Sequence, residues 1–152
     1  SFSEPGEGGV ISIARSSQPA LRRLLLTHEC YHGVFFSLPG VREATQRVWQ
    51  SLSATEQAVW RLFLSTAGYN ADDPYLVVNE FQAYLFQQDR ARVKDFQAVS
   101  LERLRKRRPE EGVLLDSILR EHPRSFEESF DALQSALTAA GGLPGGAAFG
   151  VQ

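Results

Sequence analysis

Helix punctuation constrains this chain more than any other feature of its sequence. From Pro19 to Gly142, apolar residues recur at steps of three and four, and each such segment is bracketed by residues that start or stop helices. Ser16 or Ser17 can cap the first helix, with Pro19 in its first turn. Leu21, Leu24, Leu25, His28, His32, Phe35 and Phe36 repeat along it, and Pro39-Gly40 ends it. A second helix is expected over residues 41–52. Ser53-Ala54-Thr55-Glu56 reads as a capping box for a third, which carries Val59, Leu62 and Phe63 and stops at Gly68. Asp72-Asp73-Pro74 opens a long helical stretch to about residue 107, with a break expected near residues 98–100. Pro109-Glu110-Glu111 starts the next helix. Ser125-Phe126-Glu127-Glu128 reads as a second capping box, ahead of Phe130, Leu133 and Leu137. The one strand signal is Val10-Ile11-Ser12-Ile13-Ala14. The expected class is therefore α+β, predominantly helical, with at least one edge strand before the first helix.

A chain of 152 residues suits a single domain, expected over residues 1–140, with a flexible Gly/Ala/Pro-rich tail at 141–152. A net charge of −2 gives no electrostatic reason to expect nucleic acid as a partner. No run of 18 apolar residues occurs, so no membrane-spanning segment is expected. The single cysteine, Cys30, rules out an intrachain disulfide and leaves cytoplasmic and cell-envelope or secreted settings equally open. A chain that opens on Ser1 rather than methionine is expected to follow a signal peptide, pro-segment or further domain. The basic run at residues 103–108 is expected to be a solvated helix end at the negative pole of the helix dipole, with an anionic partner surface as the alternative.

The chemistry concentrates in His28-Glu29-Cys30-Tyr31-His32, an H-E-x-x-H pattern holding two of the three histidines. On a helix, residues four apart share a face, so His28 and His32 can grip one metal ion from the same side. Glu29 lies roughly 100° around the helix from His28. That angle suits a general base toward water activated by zinc better than a ligand. Cys30 turns away from the ligand face and reads as a small buried hydrophobe.

A catalytic zinc site needs a third protein ligand and an open position. Gly33-Val34-Phe35-Phe36-Ser37-Leu38 offers no third histidine. The best candidate is Glu80, in Asn79-Glu80-Phe81-Gln82-Ala83-Tyr84. It is a carboxylate within the apolar run Val77, Val78, Phe81, Leu85 and Phe86, where an unpaired charge is costly. Ala83 would let its helix approach the first one closely.

H-E-x-x-H followed at a distance by E-x-x-A on a second helix resembles the gluzincin branch of the zincin metallopeptidases, over residues 10–86. The resemblance implies one zinc ion held by His28, His32 and Glu80, with Glu29 as general base. It also implies a strand before the motif helix, here residues 10–14, that edges the cleft and pairs with extended substrate. Two departures stand out: zincin domains have a multistranded sheet ahead of the motif helix, and the spacing from His32 to Glu80 is longer than in the most compact members.

The expected function is zinc-dependent hydrolysis of peptide bonds in a protein or peptide substrate. Tyr84, one turn after Glu80, is the first candidate to stabilise the oxyanion, with Tyr75, Tyr69 and His122 as alternatives. Asp72 and Asp73 read as helix caps, or as partners that orient a ligand histidine. A zinc-binding interaction module without peptidase activity is the main rival. A helical domain with an accidental motif is the third reading.

Overall fold

A computed structural model describes residues 18–140. Seven α-helices follow in order: α1 (Pro19–Ser37), α2 (Pro39–Ser51), α3 (Ala54–Thr66), α4 (Pro74–Phe86), α5 (Val93–Arg107), α6 (Gly112–Glu121) and α7 (Ser125–Ala140). Short 3₁₀ turns, Arg90–Arg92 and Pro109–Glu111, lead into α5 and α6. No strand or sheet occurs among the described residues, which corrects the α+β expectation to an all-helical architecture. The connectors between helices are short and hold no β-branched run, so they have nothing from which to build a sheet. The expected strand at residues 10–14, the caps Ser16 and Ser17 and the tail at 141–152 lie outside the described residues.

Several helix starts take the form the sequence predicts. Ser53 accepts from the backbone N–H of Glu56, and the Glu56 carboxylate accepts from the Ser53 N–H, completing a capping box. Asp73 caps α4 by accepting from the N–H groups of Tyr75 and Leu76. Pro39 follows α1 and is also the first residue of α2.

The expected long helix is two helices, and the break falls at residues 87–92 rather than 98–100. The first half serves one core, whereas the second contributes Val93 to that same core and then reaches another. α4 packs with α1, α2 and α7 in the larger core, around Trp60, Phe81, Phe86 and Phe126. The second half sends Leu101 and Leu104 into a smaller core with Val59, Leu62, Leu115 and Ile118. The redirected chain is held by Arg90, whose guanidinium binds Asp131 (2.5 and 2.7 Å) and Glu127 (3.1 Å) on α7. In the basic run, Arg105 pairs with Asp116, Lys106 with Glu102, and Arg108 with Glu110 and Glu111.

α4 is the central helix. Residues 77–83 are buried without interruption, so neighbours cover it on every side. A helix apolar all round belongs in such a position, and α4 departs from that pattern only at Asn79, Glu80, Gln82 and the half-buried Tyr84 among its buried turns.

The start of α7 is gripped by polar side chains of α3 and α5. The Gln97 amide donates to the carbonyl of Pro123 (3.2 Å) and accepts from the N–H of Phe126 (3.1 Å). Ser125 does not act as the expected capping hydroxyl: it lies within α7 and donates to buried Glu56 at 2.7 Å. Burial pushes the Glu56 carboxyl up, but hydrogen bonds from Ser125 and Ser53 and the charge of His122 together outweigh it and hold the group below its ordinary 4.5. A depressed carboxyl stabilises the fold above its unfolded value, and that contribution is lost as pH falls through the lower folded value. Glu56→Gln should therefore flatten the acid limb of a Tm-against-pH profile below about pH 4.5 while lowering Tm at pH 7. An unchanged acid limb would count against this assignment.

Candidate metal centre

The site forms where α1 crosses α4. α1 buries a stripe of Thr27, His28, Tyr31 and Phe35 against its neighbours, so the motif histidines face inward while Glu29 stays half-buried at the edge. Gly33 is exposed and in open space. Cys30 is half-buried and outside the ligand group. Tyr31 turns into the core against Phe86; burial, then Cys30, pushes its phenol up to about 12, so it stays neutral.

Three ligand-type side chains converge. His28 Nε2 and His32 Nε2 are 3.0 Å apart. Glu80 reaches both, with Oε2 at 3.3 Å from His28 Nε2 and Oε1 at 3.5 Å from His32 Nε2. Ligands at zinc distances of about 2.0–2.1 Å in a tetrahedron stand about 3.3–3.4 Å from one another, and the spacings in this triangle of side chains, with a different Glu80 oxygen facing each ring, bracket that value. A carboxylate oxygen of Glu29 also lies within 4.8 Å of ring nitrogens of both histidines. Of the two carboxylates Glu80 is the deeper, only 4% exposed and within 3.3 and 3.5 Å of the two rings, while Glu29 is half-buried.

Protons alone satisfy this cluster poorly. Glu80 Oε2 and His28 Nδ1 are buried with no hydrogen-bond partner. A buried carboxylate left short of partners is expensive, and a cation at the centre of the triangle would answer Glu80. The residues present therefore fit a zinc ion.

Asn79, which the sequence reading passed over, orients one ligand. Its Oδ1 lies 3.0 Å from His32 Nδ1. An amide oxygen can only accept, so Nδ1 carries the proton and Nε2 turns its lone pair toward His28 and Glu80. Asn79 immediately preceding Glu80 inside an apolar run was the available signal. Asp72 and Asp73 do not take this role: Asp73 caps α4, and the backbone N–H of exposed Asp72 binds the Asn70 side chain.

Of the proposed oxyanion donors, the structure brings two to the site. Tyr84 packs edge-on to His28 with ring centroids 4.8 Å apart, and its hydroxyl donates to that of Tyr69 at 3.4 Å. Burial, the Tyr84 hydroxyl and the charge of Glu80 all push the Tyr69 phenol up, so it holds its proton. Tyr69 arrives there through its backbone. Gly68 at φ +99° closes α3, its N–H bonding the Ser65 carbonyl while the Tyr69 N–H bonds that of Leu64. This pair of bonds is a Schellman motif. The guanidinium of Arg61, stacked over Trp49, then fastens the loop through the Ala71 carbonyl.

The other two candidates lie elsewhere. Tyr75 is 43% exposed and packs on Phe35 and Phe36. His122 sits 3.9 Å from Glu56 at the start of α7.

The His32 assignment is open to direct measurement. Long-range ¹⁵N correlation spectra of the apo protein should show a neutral His32 protonated at Nδ1, and Asn79→Ala should mix the tautomers. A His32 protonated at Nε2 in the parent protein would refute the arrangement. No protein-family model, curated protein or solved structure matches this chain.

Proposed function

We propose that the protein is a zinc-dependent metallopeptidase with a gluzincin-type ligand set, acting on protein or peptide substrates. The observation that carries this reading is the convergence of His28, His32 and Glu80 within 3.0–3.5 Å, with Glu29 beside them. Bound by these three groups, zinc would supply Lewis acidity, polarising a carbonyl and lowering the pKa of a water to about 7. The Glu29 carboxylate, at the rim of the triangle, takes the proton of the attacking water and passes it to the leaving amine. Asn79 keeps His32 in the tautomer that leaves Nε2 free. The hydroxyls of Tyr69 and Tyr84 meet beside this cluster, where they can donate to a developing oxyanion.

A second reading, a zinc-binding interaction module that does not cut, is favoured by one observation. Among the described residues there is no sheet edge to pair with an extended peptide.

Elemental analysis after dialysis should find one zinc per chain, lost on His32→Ala or Glu80→Ala. In a peptide-library cleavage assay, Glu29→Gln should keep the zinc and lose activity by about 10²–10⁴-fold, the usual scale of general-base removal. Cleavage that survives Glu29→Gln sinks the mechanism. Stoichiometric zinc with no cleavage by the parent protein selects the interaction module.

A further inference from the structure

We propose that Gln82 is a positioning residue for the metal centre, its side-chain amide locking the register of α4 against the middle of the motif helix. This inference rests on the zinc reading above. Gln82 is fully buried, two residues after Glu80. Its Nε2 donates to the backbone carbonyl of Tyr31 at 2.9 Å, and its Oε1 lies 3.3 Å from the Thr45 hydroxyl, sharing that group's one proton with the Val41 carbonyl at 2.9 Å. The amide orientation is unambiguous, because the Tyr31 carbonyl can only accept.

The location of that carbonyl carries the argument. Tyr31 is the residue before His32 and lies well inside α1, where one lone pair of each carbonyl serves the helix itself. Gln82 uses the second. One amide thus ties α4 to α1 between the two histidine positions, and to α2 through Thr45. Apolar contacts hold α4 and α1 together but are non-directional. A slide of α4 by one residue would move Glu80 by about 1.5 Å, enough to remove its carboxylate from the 3.3 and 3.5 Å approach to the histidines. The directional bond to Tyr31 opposes that slide. A leucine would fill the same space without two polar atoms to satisfy.

Gln97 supplies a matched control. It too is a buried glutamine bridging two elements through both amide atoms, but it joins α5 to the start of α7 rather than to α1. Gln82→Leu, Thr45→Val and Gln97→Leu are compared with the parent protein by chelator competition for zinc and by the visible spectrum of the Co²⁺-substituted form. Gln82→Leu should lose about 10–100-fold in zinc affinity, the scale set by residues that orient metal ligands, and should shift the Co²⁺ bands. Thr45→Val should move both readouts less, in the same direction. Gln97→Leu should leave both at parental values. Parental affinity in Gln82→Leu, or equal losses in Gln82→Leu and Gln97→Leu, overturns the proposal. If Gln82→Leu does not fold, parental affinity in Thr45→Val overturns it. A parent protein that binds no zinc sinks the metal reading and this inference together, whereas zinc bound equally well by all three variants sinks this inference alone.

Discussion

The burial of α4 on every side is the constraint on which the rest of this structure depends. A helix in that position can shed its polar groups or satisfy them internally, and this one keeps Asn79, Glu80 and Gln82. All three turn to α1: Asn79 to the ring of His32, Glu80 to both histidines and Gln82 to the carbonyl of Tyr31. Leaving any one of them unpaired would cost about 1–3 kcal/mol, and more for the charged one. The pairing of α1 with α4 is therefore specified by polar groups as well as by packing. The same groups gather two imidazoles and a carboxylate at one point between the helices. The remaining helices act mainly as walls. α2 and α7 enclose α4, and α3 with α5 and α6 builds a second core that shares Phe63 with the first.

Much of this was legible in the sequence wherever a local rule sufficed. The Ser53–Glu56 capping box, the Asp73 cap and the Gly68 stop depend on residues within a few positions of one another, and each appears as expected. His28 and His32 were legible because helix geometry alone aligns them. Glu80 was legible because a lone carboxylate in an apolar run needs a partner.

What escaped the sequence was set by tertiary choices. The long helical pattern after Pro74 has no strong breaker before residue 107, yet it divides, and beyond the break the chain passes from the larger core at Val93 to the smaller one at Leu101 and Leu104. Ser125 looks like a cap from its neighbours, yet a glutamate from α3 claims its hydroxyl. Tyr69 could be named and ranked behind Tyr84, but not chosen. Its place beside Glu80 depends on a left-handed glycine and on an arginine that holds the following loop. The α+β expectation failed for a related reason: a single β-branched run carried it, and no segment among the described residues answers that run with a second strand.

The nesting of Trp60 between Phe81 and Phe126 also sets an order in time. All three proposed ligand residues are synthesised by residue 80, but α7, which packs against α4 in the larger core, ends only at residue 140. At roughly 5–20 residues per second, those last residues take several seconds to appear. For that interval the chain carries every side chain of the proposed metal centre without the last helix of the core around them. The candidate ligands are thus all present early in the life of the molecule, and the core around their helix is complete only when Phe126 and Phe130 arrive.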